Sequence, residues 1–193
     1  MANKDFADMG KFLERYRQKR DFQKTSEPRG SKSALKPIGK NPRFVVHEHF
    51  ATHHHFDLRL ENHGVLRSWA VPKQIPLKPG EKFLAVRVED HPLEYINFQG
   101  IIPQGEYGAG RVKIWDTGEY ALRHSSPTKI LLEFDGEKMK GNYALLKFKN
   151  GDNWLLLKEK ELKSEIIKKN KYDERGMSYA VKVKSKKSKS HKK

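Results

Sequence analysis

The chain has 193 residues, a formal net charge of +16 and no cysteine, with 33% of its residues charged and 36% hydrophobic. The charge points to a polyanionic partner, nucleic acid before an anionic membrane surface. Disulfides and thiolate metal sites are excluded, so any metal takes nitrogen and oxygen ligands.

No apolar run approaches the length of a membrane-spanning helix, and the start, Met1 to Phe6, carries no secretory apolar segment. The expectation is one domain of ordinary size, soluble and cytoplasmic, with no membrane partner. Phe6, Met9, Leu13 and Tyr16 recur at helical spacing and predict an amphipathic helix over 5–19. Residues 23–42, rich in Lys, Ser, Pro and Gly, predict a loop or arm lying over the surface. From Arg43 onward the pattern becomes short strands separated by turn residues. Arg43–Phe50 and His55–Leu60 pair around Ala51–His54, and Val65–Val71 follows the turn Asn62-His63-Gly64. A Pro-rich link leads to Phe83–Glu89. Later strands are expected at Arg111–Trp115, Glu119–Arg123, Lys129–Phe134, Tyr143–Phe148 and Trp154–Lys158. About eight strands in one domain predict a mainly-β fold, a barrel or sandwich whose closure removes exposed edges.

Glu161–Lys171 is expected to form a short helix. Residues 181–193 hold seven lysines and no acid and are expected to be a disordered tail. Without those lysines the rest still carries +9. The predicted organisation is an N-terminal helix and arm over 1–42, a β core over 43–180, and the tail.

The densest chemistry lies in His49-Phe-Ala-Thr-His-His-His55-Phe-Asp57-Leu-Arg59-Leu60. Alternation along a strand puts His55, Asp57 and Arg59 on one face and Phe56, Leu58 and Leu60 on the other. The apolar face enters a core and the polar face is left as a reactive surface. A neighbouring strand returns His49 to the same patch. Two imidazoles and a carboxylate then form a ligand set for a divalent transition metal with open positions. His53 and His54 compete as ligands, but parity favours His55. The plainer alternative is an exposed Asp–Arg ion pair worth under about 1 kcal/mol.

Three further motifs are weaker. Glu89-Asp-His91-Pro-Leu-Glu-Tyr95 follows an alternating strand, and Pro92 is expected to end it in a turn; His91 and Tyr95 suit phosphate contact or proton transfer. Gly100 to Gly110 is glycine-rich, yet it lacks the Lys-Ser/Thr of a P-loop and precedes a strand, so its glycines are expected to serve tight turns. His47-Glu-His49 invites a cupin reading, a metal-dependent small-molecule hydrolase, but the second half of such a site is missing.

Taken in order, these motifs resemble a known family. The resemblance runs through Lys19-Arg-Asp-Phe-Gln-Lys-Thr-Ser-Glu-Pro28, Phe44-Val-Val-x-Glu-His49 and His55-x-Asp57-x-Arg59-Leu-Glu. It continues through Gly64-Val-Leu-x-Ser-Trp-Ala-Val-Pro-Lys73, Leu84-Ala-Val-x-Val-Glu-Asp-His91-Pro-Leu-x-Tyr95 and Phe98-x-Gly-x-Ile-Pro-x-Gly-x-Tyr-Gly-Ala-Gly110, and ends at Val112-x-Ile-Trp-Asp116. The chain is similar to the 3′-phosphoesterase module of the bacterial end-joining DNA ligase D, which also occurs as a stand-alone protein. The resemblance covers about half the chain, residues 19 to 118.

That resemblance implies a β-barrel with flanking helices and a manganese-dependent enzyme, with Zn2+ and Co2+ as alternative ions. Such an enzyme cuts the last phosphodiester of a strand ending in ribonucleotides and then hydrolyses the remaining 3′-phosphate. By position, His49, His55 and Asp57 would bind metal, while Arg59, His91 and Lys73 would hold phosphate. Arg59, His91 and Tyr95 form the implied catalytic set, with Arg20, Asp21, Glu27 and Glu89 in support. A DNA ligase and end-binding repair proteins are the implied partners, and the 3′ ends of DNA and RNA primer strands the substrates. One position departs from the pattern: the family carries Arg where this chain has Phe83, and Lys82 has the opposite strand parity. A phosphate dianion needs more positive charge than a diester, so the expectation is a weakened monoesterase step. The nucleophile is a water or the vicinal 2′-hydroxyl; the sequence leaves both open. A non-catalytic nucleic-acid-binding barrel is the rival that leaves the His-x-Asp-x-Arg face unused.

Overall fold

The hairpin expected around Ala51–His54 organises the rest of the molecule. Strand β1 (Arg43–Phe50) pairs antiparallel with β2 (His55–Asn62), His49 standing opposite His55. A two-residue turn joins β2 to β3 (Val65–Val71), with positive φ at both His63 (46°) and Gly64 (84°). Those signs define the turn whose twist matches a hairpin, and glycine meets the requirement at one of the two positions without strain. The computed structural model describes residues 13–30, 41–148 and 151–160.

The remaining strands are β4 (Lys82–Arg87), β5 (His91–Pro92), β6 (Gly100–Ile102), β7 (Gly110–Ser125), β8 (Lys129–Gly136), β9 (Lys140–Lys147) and β10 (Asn153–Lys158). Eight of the ten strands close a ring in the order β1-β2-β3-β4-β10-β9-β8-β7, sealed by β7 against β1. The fold is therefore the mainly-β barrel that strand count predicted. Short β5 and β6 are additions, pairing with β3 and β7. Helix α1 is Glu14–Gln18, and a 3-10 turn spans Leu93–Asn97. The upstream part of the helix predicted over 5–19, the helix predicted over 161–171 and the Lys-rich tail lie outside the described residues. No helix among the described residues is long and apolar enough to cross a membrane.

Two local expectations need correction. The strands expected at Arg111–Trp115 and Glu119–Arg123 are one continuous strand, β7. Asp116 explains the continuity: its buried carboxylate accepts backbone N–H groups of Thr117, Glu137, Lys138 and Met139, tying β7 to the β8–β9 turn. Gly118 permits the close approach, since a Cβ there would meet the Asp135 carbonyl oxygen at 2.1 Å. Pro92 does not end the alternating strand, β4, which stops at Arg87; it ends the separate short strand β5 and caps the turn that follows. It sits in β5, opposite Val65, and the 3-10 turn begins after it.

Two apolar clusters result from strand alternation. Phe44, Val46, Phe56, Leu58, Leu60, Trp69, Leu132, Phe134, Leu145 and Leu156 are among those filling the barrel. The second cluster joins Val45, Leu66 and Val112, on the outer face of β1, β3 and β7, to Tyr16, Tyr95, Ile96, Phe98 and Ile102. The N-terminal segment and the 3-10 turn thus roof the outer face of the barrel. The Tyr16 hydroxyl fastens that roof by donating to the Pro28 carbonyl at 2.7 Å.

Candidate active site

Cross-strand register assembles the site. On the outer face His49 opposes His55, His47 opposes Asp57, Arg59 opposes Ser68, and Leu66 opposes His91. One cavity of about 310 Å³ is lined by His49, His55, Asp57, Arg59, His91 and Arg20, together with Glu89, Tyr95, Tyr107 and Gly108. The sequence led us to expect an open reactive surface, but His49, Asp57, Arg59 and His91 are buried beneath the roof.

His49, His55 and Asp57 place one ligand atom each within 4.8 Å of one another. His49 Nδ1 and His55 Nε2 each lie 3.8 Å from Asp57 Oδ2. The other nitrogen of each ring is committed: His49 Nε2 donates to the Gly108 carbonyl at 2.9 Å, and His55 Nδ1 to the His53 carbonyl at 2.8 Å. A carbonyl only accepts, so each bond fixes the tautomer and leaves a lone pair toward Asp57. The set suits a divalent ion with nitrogen and oxygen ligands. Burial lowers the His49 pKa, partly offset by Asp57, which keeps the ring neutral for ligation. His53 and His54 are exposed and outside this set, and His54 pairs with Glu48 at 2.9 Å.

Arg59 is held on three sides. Its Nη2 donates to Asp57 at 3.1 Å, Nη1 to the Ser68 hydroxyl at 3.0 Å and Nε to His47 Nδ1 at 3.3 Å. The Tyr95 ring lies 4.7 Å from the guanidinium carbon. Of five N–H donors, two have no partner among the described residues, one on each terminal nitrogen, matching two oxygens of a phosphate. Arg20 is more fully committed, to Glu27 at 2.9 Å, the Tyr16 carbonyl at 3.0 Å, Glu89 at 3.4 Å and His91 Nε2 at 3.3 Å. Its side chain also stacks on Tyr16, 3.8 Å from the ring centroid.

His91 donates from Nδ1 to the Glu89 carbonyl at 2.9 Å, which leaves Nε2 as the acceptor facing Arg20. Burial, then the nearby Arg59 and Arg20, push its pKa well below 6.5. His91 is thus neutral in the free protein, where the sequence left its charge open. The Tyr95 hydroxyl donates to Glu27 at 3.0 Å, and burial raises its pKa well above 10. Glu27 therefore ties Tyr95 to Arg20, while Thr25 donates to its second oxygen at 3.1 Å.

Three residues of the sequence reading fall elsewhere. Lys73 is exposed just past the end of β3 and does not line the cavity. Asp21 pairs with Lys24 at 3.2 Å and caps the Gln23 amide, outside the cavity lining. Phe83 packs against the barrel interior, opposite Leu156. It is not part of the phosphate cavity, so the expectation that it strips a cation from that cavity loses its basis.

Sequence reasoning raised His47 only in the cupin reading and missed Ser68 and the Gly108 carbonyl. His47 shares the face of His49 by alternation, and Ser68 lies opposite Arg59 in register, so strand pairing was the signal for both. Gly108 belongs to the glycine loop expected to be purely structural, and nothing in its spacing marks the carbonyl.

A β-barrel with a divalent-cation donor set beside a buried guanidinium fork is the class of domain these features define. The chain belongs to the DNA Ligase D 3′-phosphoesterase domain family, whose pattern matches residues 47–147. It is 46% identical over 160 residues to the multifunctional non-homologous end joining DNA repair protein LigD of Mycobacterium tuberculosis, covering 80% of this chain and 21% of that protein. The corresponding figures are 44% over 163 residues for Mycolicibacterium smegmatis LigD, covering 79% and 21%, and 42% over 157 residues for Pseudomonas aeruginosa LigD, covering 77% and 19%. The chain spans about a fifth of the length of these relatives.

Proposed function

We propose that this chain is a metal-dependent 3′-end-healing phosphoesterase. It removes the 3′-terminal nucleoside from strands ending in ribonucleotides and then the 3′-phosphate left behind, preparing ends for a ligase in end-joining repair. One observation carries the reading: in a chain of this family, the His49–His55–Asp57 donor set and the two spare donors of Arg59 open into the same buried cavity. Manganese is the proposed ion, and the nitrogen and oxygen donors also suit zinc or cobalt. When bound, a divalent ion polarises a phosphoryl oxygen and lowers the pKa of a water.

The protein's own groups do the rest. Arg59 grips two phosphate oxygens as a planar fork and neutralises charge that builds on them. Asp57 and Ser68 hold that fork in place. His91 is neutral while its Nε2 accepts from Arg20. A phosphate that draws this Arg20 N–H onto its own oxygen frees Nε2, and its charge offsets Arg20 and Arg59 and favours protonation there. A protonated His91 can then deliver its proton to the departing oxygen. Arg20, locked by Glu27 and Glu89, supplies fixed positive charge, and Tyr95 holds Glu27 and supports the Arg59 plane.

Purified protein, manganese and an end-labelled DNA strand ending in ribonucleotides test the reading. A 3′-phosphate product followed by a 3′-hydroxyl product is expected. Strand binding with neither product would reduce the chain to a nucleic-acid-binding barrel.

A further inference from the structure

A second cavity adjoins the phosphate pocket. Its volume is about 420 Å³, within the range of small-ligand sites. Arg15 and Lys19 line it from the N-terminal segment, Arg87 from the end of β4, Glu89 and Asp90 from the β4–β5 connection, and Asp152 from the turn before β10. Glu89 and Tyr107 line both cavities, so the two meet at these side chains.

Tyr107 is an aromatic ring fixed in place at that junction. It is 48% exposed, yet Lys19 donates to its hydroxyl at 3.1 Å and to Glu89 at 3.0 Å, lying 4.3 Å from the ring centroid. Gly105 and Gly108 flank it with φ of 90° and 78°, conformations that glycine adopts without penalty. The Gly108 carbonyl is the same group that holds His49. The ring is therefore positioned by the loop that orients a metal ligand.

The charge of the second cavity is balanced. Three cations face three carboxylates, and two of the pairs, Lys19 with Glu89 and Arg87 with Asp90, are already formed. Such a lining offers donors and acceptors to a neutral polar group and little net attraction to a second phosphate. The neutral group that a 3′-terminal diester places beside its phosphate is the last nucleoside. Its base has a π face for Tyr107, and its sugar has free hydroxyls for the carboxylates.

We propose that this cavity binds the terminal nucleoside, with its base stacked on Tyr107. The inference rests on the phosphoesterase reading above. In the net reaction water is added across the bond from phosphorus to the 5′-oxygen, which breaks. That oxygen takes a proton, and the nucleoside leaves through the second cavity while the phosphate stays on the strand. An internal nucleotide would carry a further phosphate into the charge-balanced cavity, so the device confines cutting to ends.

The test is equilibrium binding of two labelled DNA strands in chelator: one ending in a ribonucleoside, the other in a 3′-phosphate and so lacking that nucleoside. Tyr107→Ala should weaken binding of the nucleoside-ended strand by between about 5- and 150-fold, the range for losing a base–aromatic stack. The phosphate-ended strand should change far less, and Tyr107→Trp should restore the difference. Equal losses on both strands would place Tyr107 on the upstream strand and overturn the proposal, as would no loss on either. If the discrimination holds but wild-type protein with manganese releases no nucleoside, the phosphoesterase reading fails while the nucleoside cavity stands.

Discussion

His49 and His55 face each other across the β1–β2 pair with ring centroids 4.7 Å apart, and each turns its uncommitted nitrogen toward Asp57. The backbone makes this possible, because carbonyls of Gly108 and His53 hold the opposite nitrogens. Replacing any one of the three by alanine should lower manganese affinity by at least about 100-fold, more than the 10- to 100-fold usual for outer partners, and abolish turnover. His53→Ala and His54→Ala should stay near wild type. Calorimetric titration of each variant with manganese checks this; strong loss in His54→Ala with none in His55→Ala would contradict the assigned ligands.

Arg59→Lys separates charge from geometry. The ammonium keeps the positive charge but cannot span Asp57, Ser68 and two phosphate oxygens together. A fall in kcat/KM of at least about 100-fold is expected, equivalent to about 2.7 kcal/mol, with manganese affinity retained. Near-normal turnover would rule out the two-oxygen fork. A melting curve should accompany the assay, since Arg59 is only 3% exposed.

Stability should fall in mild acid. Burial, followed by the Arg59 charge, holds both His47 and His91 well below 6.5. Below about pH 6.5 the unfolded chain protonates these rings, whereas the folded chain does not until lower pH. The unfolded state then binds more protons, so the stabilisation is complete above about pH 6.5 and is lost as pH falls below it. Each histidine contributes a slope of up to about 1.4 kcal/mol per pH unit. Urea denaturation of metal-free protein at pH 7.5, 6.5 and 5.5 measures it, and His91→Gln should flatten the profile. A wild-type profile already flat over this range would show that the rings are charged in the fold.

Phe83→Arg should not create a better monoesterase. Phe83 packs against the barrel core, so arginine there loses apolar contacts and brings an unpaired charge toward the interior. A loss of about 2–4 kcal/mol is expected, read as a lower melting temperature with no gain in phosphate release from a 3′-phosphate strand. A stable variant with a selectively faster monoesterase step would show that this side chain reaches the phosphate after all.

The β class, the hairpins and the His49–His55–Asp57 donor set were legible in the sequence, because each is encoded in local order. Alternation over His55–Leu60 separates the polar row from the apolar row within a single strand, whatever surrounds it. Spacing likewise singled out His49 as the partner from the preceding strand, since one short turn separates the two. Motif resemblance, not strand parity, pointed to Arg20, Glu27, His91 and Tyr95; how these groups lie over that polar row was set by the tertiary structure. Tyr16, Arg20 and Glu27 arrive from the N-terminal segment, His91 and Tyr95 from beyond β4, and Gly108 from a loop after β6. Pairing between strands far apart in the chain sets these approaches, and one-residue parity carries no information about it. The same limit explains Phe83. Its position in the aligned motifs suggested the phosphate cavity, but β4 turns that side chain inward, where the apolar ring gains more from the barrel core than from a polar pocket.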